Sequence, residues 1–318
     1  MLRNVAAGID GSPQSLAAAH WAAQEALRRG VALSLVHAWR SHPRPAPYVP
    51  LGSTEHQWAE HLLQQAVDSV RAAHPGLDIA ARLVCDAPDA ALLTAAGDAE
   101  LLVLGSLGLG SVAGFVTGSV SQRVVGRCTR PVVLVRAGQG AADEHLPAVD
   151  GVAPEEIPEI PFRAVVLGLD VHHPGDELIE FAFEAARRRQ TDLRVVHVFK
   201  APSASAADGS SASAADGSSA SAADGPSVPA PGPELLAAEE RAVVAALRPW
   251  CEKYPDVPVT ETVVEGRAGA ELVRAATGAG LVVVGRRTGS GRLGAHTGPV
   301  AHAVLHHVGC PVAVVPHD

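Results

Sequence analysis

The chain has 318 residues, 47% of them hydrophobic and 19% charged, with a formal net charge of −9. That length suits two α/β domains, that composition suits a cored protein rather than a disordered one, and the acidic balance argues against a nucleic-acid binder, which needs a basic face. No apolar run is long enough to span a bilayer and no cationic start leads into an apolar leader, so the expectation is a cytoplasmic protein with neither membrane nor nucleic-acid partners.

Aromatic residues are only 3%, so the core must be built from Ala, Val and Leu. Parallel strands packed on small-residue helices meet that requirement. The cysteines (Cys85, Cys128, Cys251 and Cys310) lie far apart with no C-x-x-C spacing. They read as reduced thiols, not as a disulfide framework or a zinc site.

In chain order, residues 5–10 form a first apolar strand, and Ser12-Pro13 reads as the cap and first residue of a helix. Leu16, Ala19, His20, Ala23 and Leu27 carry helical spacing to Arg29, and Gly30 stops it. Residues 33–39 are a second strand, 54–73 a helix, 79–84 a strand, 89–96 a short helix and 101–104 a strand. A glycine-rich loop leads into a helix at 120–127, and residues 132–136 close the unit as a strand.

The second half repeats this order. Strands fall at 164–170, 193–199, 259–265, 281–284 and 311–315, with helices at 176–190, 233–254 and 268–277. Gly168-Leu169-Asp170 echoes Gly8-Ile9-Asp10, and His197-Val198 echoes His37-Ala38. Alternating β and α elements with buried-type strands argue for doubly wound parallel sheets, here duplicated. The organisation expected is domain 1 at 1–137, a linker at 138–161 and domain 2 at 162–318, with a low-complexity insert at 201–232. The insert contains the octapeptide Ser-Ala-Ser-Ala-Ala-Asp-Gly-Ser three times and has no means of burying a core.

The loop at 105–119 carries most of the functional information. It runs from a buried strand into a helix N-terminus, where free N–H groups and the helix dipole favour an anion. Glycines let backbone approach a phosphate without a Cβ in the way, and Ser119 adds a hydroxyl. Gly105, two residues, Gly108, nine residues, then Gly118-Ser119 resembles the ATP loop of the universal stress protein family. Residues 5–12 resemble that family's first strand with its Asp, and 34–38 its second strand with its His. The resemblance covers nearly the whole chain apart from the two linkers.

The resemblance implies two Rossmann-like (adenine nucleotide α-hydrolase-like) α/β domains, each with a five-stranded parallel sheet of order 3-2-1-4-5. It implies an ATP-binding stress-response regulator, not an enzyme, acting through nucleotide-dependent protein partners, with ATP bound with or without Mg2+. Carried over, the nucleotide site of domain 1 is Gly8, Ile9, Asp10, Ala38, Gly105, Gly108, Gly118, Ser119 and Val120. The last strands mediate dimerisation in the family, so here they pair within the chain as a pseudo-dimer or between chains as a homodimer. Plainer readings stand beside these. Asp10 also suits a helix cap, glycines 108, 110 and 114 a flexible loop, and His37 a satisfied strand histidine.

Domain 2 departs from the pattern. Gly285 and Gly298 keep the spacing of Gly105 and Gly118, but Thr288 replaces the second glycine and Pro299 the serine. Thr288 adds a Cβ, and Pro299 lacks both hydroxyl and N–H, so phosphate donors disappear. Weaker triphosphate binding, or none, is expected at the loop of Gly285 and Gly298, while Gly168, Leu169, Asp170 and Val198 remain as candidates for an adenosine end. Arg286, Arg287 and Arg292 are either charge compensation or solvated.

His302 and His306 share a helix face at metal-ligand spacing but lack a third ligand, and His172-His173 has no partner legible in sequence; no metal site is expected. No nucleophile elbow or Walker A lysine is present, and nothing supplies a clear general base for fast phosphoryl transfer. The alternatives are a scaffold or dimerisation protein of the same fold that binds no nucleotide, and, less favoured, a slow ATP hydrolase.

Overall fold

The computed structural model describes residues 3–40, 53–106, 119–138, 140–147, 160–200, 232–288 and 297–318. The proline-rich segment 41–52, the loop glycines Gly108, Gly110, Gly114 and Gly118, the connector at 148–159, the insert at 201–231 and Arg292 lie outside the described residues. The first half runs β1 (Asn4–Ile9), α1 (Pro13–Arg29), β2 (Leu33–Trp39), α2 (Glu55–Ala73), β3 (Ile79–Cys85), α3 (Pro88–Asp98), β4 (Ala99–Ser106), α4 (Ser119–Arg127) and β5 (Val132–Arg136). The second runs β6 (Val165–Leu169), α5 (Asp176–Arg189), β7 (Leu193–Phe199), α6 (Gly232–Lys253), β8 (Val259–Glu265), α7 (Ala268–Ala275), β9 (Leu281–Arg287), α8 (Pro299–His307) and β10 (Val312–His317).

Every strand pair within a half is parallel, and each half has the order 3-2-1-4-5. The halves are not two separate sheets. β5 and β10 pair antiparallel, Val132 with Val314 and Leu134 with Val312, which makes one ten-stranded sheet. The register is self-complementary, because Val312 and Val314 stand where Val132 and Leu134 stand in the first copy. Short apolar strand edges are prone to pairing, and here each covers the other within the chain.

Strand residues alternate between the two faces. Val5, Ala7 and Ile9 pack with α1 and α2, whereas Ala6 packs against α3 and α4. The second half repeats the layers, with α5 and α6 on one face and α7 and α8 on the other. α1 shows why the small residues matter. Ala18, Ala19, Ala22, Ala23 and Ala26 are all fully buried, letting the helix lie close on the sheet. Ser12 caps it, accepting from the Ser15 N–H at 3.1 Å, and Gly30 ends it in the left-handed region at φ 66°.

Polar contacts also join the halves. Glu25 of α1 meets Arg29 at 2.7 Å and Arg189 of α5 at 3.0 Å. The connector supplies Glu144, from a 3-10 turn at Ala141–Glu144; it pairs with Arg28 at 3.0 Å and accepts from the Trp21 indole. Arg189 lies over Trp21, and Arg29 over Phe181, each at 5.7 Å from the ring centre. The segment read as a simple linker therefore contributes a buried carboxylate to this junction. Arg286 is a junction residue too: it is buried and donates to the carbonyl of Cys128 just past α4, rather than being solvated or aimed at a phosphate. Arg136 answers it by donating to the His306 carbonyl at the end of α8, at 3.0 Å.

Candidate functional site

In an open parallel sheet, ligands bind beyond the carboxyl ends of the strands where the order reverses. In the first half that point lies between β1 and β4, which pair directly. A cavity of about 350 Å³ opens there. Gly8, Ile9, Asp10, Ala38, Gly105, Ser119 and Val120 all line it. Gly108 and Gly118 belong to the loop outside the described residues.

The glycines have specific steric reasons. A Cβ on Gly105 would come within 2.5–2.7 Å of the Gln14 and Ser15 backbone, so glycine lets the start of α1 press against the end of β4. A Cβ on Gly8 would meet Leu92 and Leu104 at 2.8 Å. Ser119 is the first residue of α4, so the free N–H groups of that helix's first turn border the cavity.

Asp10 organises the α1 start. Its Oδ1 accepts from the Ser12 N–H at 2.9 Å and from the Ser12 hydroxyl, and its own N–H donates to Ser15 Oγ at 3.3 Å. Partial burial disfavours its charge, but the Ser12 and Ser15 hydrogen bonds outweigh that and hold the carboxyl below its usual range. Ser12 is therefore the helix cap and Asp10 its support. His37 lies on the cavity wall with Nδ1 2.7 Å from the Ile9 carbonyl, the satisfied strand histidine that its sequence setting suggests. Val36, Pro88, Leu92 and Leu104 complete an apolar wall. The α3 residues among these escaped sequence reasoning, because the only local signal was a proline opening a short helix.

The second half brings Gly168, Leu169 and Asp170 to the end of β6, beside β9 and its Gly285, while Val198 lies near the end of β7. Gly298 precedes α8 at φ 77°. The mouth differs. α5 begins at Asp176, three residues beyond the position that matches the start of α1, and its cap residue Gly175 offers no side-chain bond. The His317 ring of β10 lies against both Gly175 and Gly285. The Thr288 N–H donates to the His317 carbonyl at 2.8 Å, which ties the start of the second loop to β10.

The turn left by the retracted helix carries His172 and His173. His172, read in sequence as having no partner, lies 3.4 Å from Glu239 of α6, and Glu239 in turn lies 3.1 Å from His197 of β7. The three come from segments up to 67 residues apart, so spacing had no means of revealing them. His302 and His306 face each other with their Nε2 atoms 3.1 Å apart. Among the described residues the cysteines are free, and burial pushes the thiols of Cys128 and Cys310 up to about 11 and about 12.

The profile of the Universal stress protein family matches residues 1–136 and 161–316. The chain belongs to this family. Universal stress protein Rv2005c of Mycobacterium tuberculosis is 30% identical over 320 residues, covering 98% of this chain and 96% of its own. A universal stress protein from Archaeoglobus fulgidus shares the fold at a TM-score of 0.65 and 15% identity, over 99% of this chain and 98% of its own. A universal stress protein solved in complex with cAMP is 32% identical over 43% of this chain and 98% of its own, at a TM-score of 0.34. Tandem universal stress protein domains account for the duplicated sheet. Among the described residues, no helix is long and apolar enough to cross a membrane.

Proposed function

We propose that the first half binds ATP and that the chain is a cytoplasmic, nucleotide-responsive regulator rather than an enzyme. The observation that carries this reading is the cavity of about 350 Å³ at the β1–β4 crevice. Its size suits a small ligand, within the usual range of about 300–1,000 Å³. Its chemistry is graded. Val36, Leu92 and Leu104 offer an apolar wall for a base, and the α4 N-terminus offers N–H groups and a dipole for phosphate. The glycine-rich segment between β4 and α4 carries further backbone N–H groups that a phosphate would use. Asp10, held ionised at neutral pH, repels phosphate and suits ribose hydroxyls at the nucleoside end. Mg2+ would be carried with the triphosphate.

Binding without rapid turnover rests on the sequence, in which no nucleophile elbow, Walker A lysine or clear general base for fast phosphoryl transfer is evident. Nucleotide occupancy would favour one conformation of the loop, and a partner that distinguishes conformations would read it. The test is calorimetry on the full chain with ATP and Mg2+. One site per chain is expected, weakened at least about ten-fold, or 1.4 kcal/mol, in Gly118→Val. No heat and no thermal shift would leave a scaffold of the same fold. Steady release of ADP, AMP or pyrophosphate would make the chain an enzyme.

A further inference from the structure

His197 is 2% exposed, and its Nδ1 lies 3.0 Å from the Leu169 carbonyl. A carbonyl only accepts, so Nδ1 carries the hydrogen and the neutral ring presents a lone pair at Nε2. Facing that lone pair at 3.1 Å is Oε2 of Glu239, itself only 7% exposed. Two acceptors held together away from water repel unless a cation joins them. What joins them is either a proton, on the ring or on the carboxyl, or a metal ion.

The third group decides between them. His172 points Nε2 at the other carboxylate oxygen of Glu239, 3.4 Å away, and one ligand atom from each of the three residues lies within 4.8 Å of the others. A proton shared by His197 and Glu239 has no use for a second imidazole. A tetrahedral ion with bonds of about 2.0–2.1 Å spaces its ligands roughly 3.3–3.4 Å apart. The two histidine–carboxylate separations, 3.1 and 3.4 Å to the two oxygens of Glu239, lie near that, and the two imidazoles lie within 4.8 Å and would draw together on the ion. We propose that His172, His197 and Glu239 form a site for a divalent transition ion of the zinc type, with a fourth position open to water or an anion.

The surroundings fit. Two imidazoles and a carboxylate form a borderline nitrogen–oxygen donor set that suits zinc. The Leu169 carbonyl fixes the His197 tautomer, as outer-shell acceptors do for metal-bound histidines. The ligands sit on β7, on α6 and on the turn after β6, and exposed His172 provides the entry path. Among the described residues the first half has no such set. His37 keeps the anchor to a β1 carbonyl, but Ser12 stands where His172 is, and Ala59 where Glu239 is. The site thus belongs to the half whose phosphate loop is degraded, and it would clasp α6 to the sheet immediately after the low-complexity segment.

The test is a Co2+ titration of the chelator-treated full chain, followed by absorption and by thermal melting, with Zn2+ competition. Expected are one Co2+ per chain with the intense visible bands of a tetrahedral ion, displacement by Zn2+, and a raised melting temperature. His172→Ala, a change at an exposed side chain, should weaken binding at least ten-fold and abolish the thermal shift, and Glu239→Gln should do the same. A titration without tetrahedral bands would overturn the proposal. So would bands that persist in His172→Ala, or that vanish only in His302→Ala; His197 and Glu239 would then be a proton-bearing pair.

Discussion

The two halves share a backbone plan and differ at the mouth. In the first, α1 starts at Pro13 under a Ser12 cap, Gly105 presses on its first turn, and Ser119 opens α4 beside a cavity. In the second, α5 starts three residues later, the His317 ring takes the contact beside Gly285, and Pro299 opens α8 without an N–H. The strand order and layering survive these changes because they depend on alternating Val, Leu and Ala inside the sheet. The mouth depends on a few residues past the strand ends, where loops tolerate change. Duplication therefore left one copy free to change at its mouth while still serving as the other's sheet partner.

The largest expected effect breaks the bond between the copies. Glu25 is fully buried and has no counterpart in the second half, where Ala185 stands at the matching position. Burial opposes its ionisation, but Arg189, Arg29 and Arg28 dominate and hold it far below the usual carboxylate range. Glu25→Gln leaves Arg189, at 1% side-chain exposure, with Glu144 as its remaining carboxylate. Removing one member of a buried ion pair costs about 3–5 kcal/mol, read by urea denaturation of wild type and variant. A folded pKa below the unfolded one gives stability that is complete above the usual carboxylate range and lost as pH falls toward the folded value. The wild type should thus lose stability more steeply than Glu25→Gln below about pH 4.5. A loss under about 1 kcal/mol, as for a solvent-exposed pair, would mean that the junction does not depend on the Glu25 ion pairs and rests on β5–β10 pairing, apolar contacts and the remaining polar contacts.

A second variant asks which part of the mouth matters. Thr288→Gly with Pro299→Ser rebuilds the glycine and serine of the first loop in the second. We expect calorimetry still to give one nucleotide site per chain, because the retracted α5 and the His317 ring remain. Two sites would mean that the loop sequence alone separates the copies, and that the helix shift is incidental.

Much of this contrast was legible before the fold. Periodicity, caps and the repeated Gly-x-Asp and His-x patterns gave the elements and the first crevice, since these signals are local. Thr288 and Pro299 gave the reason to expect a weaker second loop, since the loss of an N–H is written in the residue itself. The single ten-stranded sheet was not legible, because both edge strands read alike whether they pair within or between chains. Nor was the buried role of Glu144, in a segment whose composition looks like a connector. His172, His197 and Glu239 meet only through tertiary structure, so a histidine that is isolated in sequence acquires two neighbours.

The smallest effect concerns where each first helix ends. Gly30 closes α1 at φ 66°, a conformation glycine adopts without a Cβ penalty. At the matching position the second half has Gln190 at φ 51°, the one non-glycine residue with positive φ among those described. Its N–H still reaches the carbonyls of Ala186 and Arg187, and the Thr191 N–H reaches Ala186 at 3.1 Å, so the cap itself is intact. The cost is confined to the crowding of Cβ against backbone in the left-handed region, about 1–2 kcal/mol. Gln190→Gly relieves it but frees the unfolded chain, so the net gain should be about 0.5–1 kcal/mol, measured as a rise in urea midpoint at unchanged slope. Gly30→Gln should cost a similar amount in the first half. If Gln190→Gly destabilised the chain instead, the exposed Gln190 side chain would be contributing more than its backbone costs, and the two helix ends would differ by design rather than by drift.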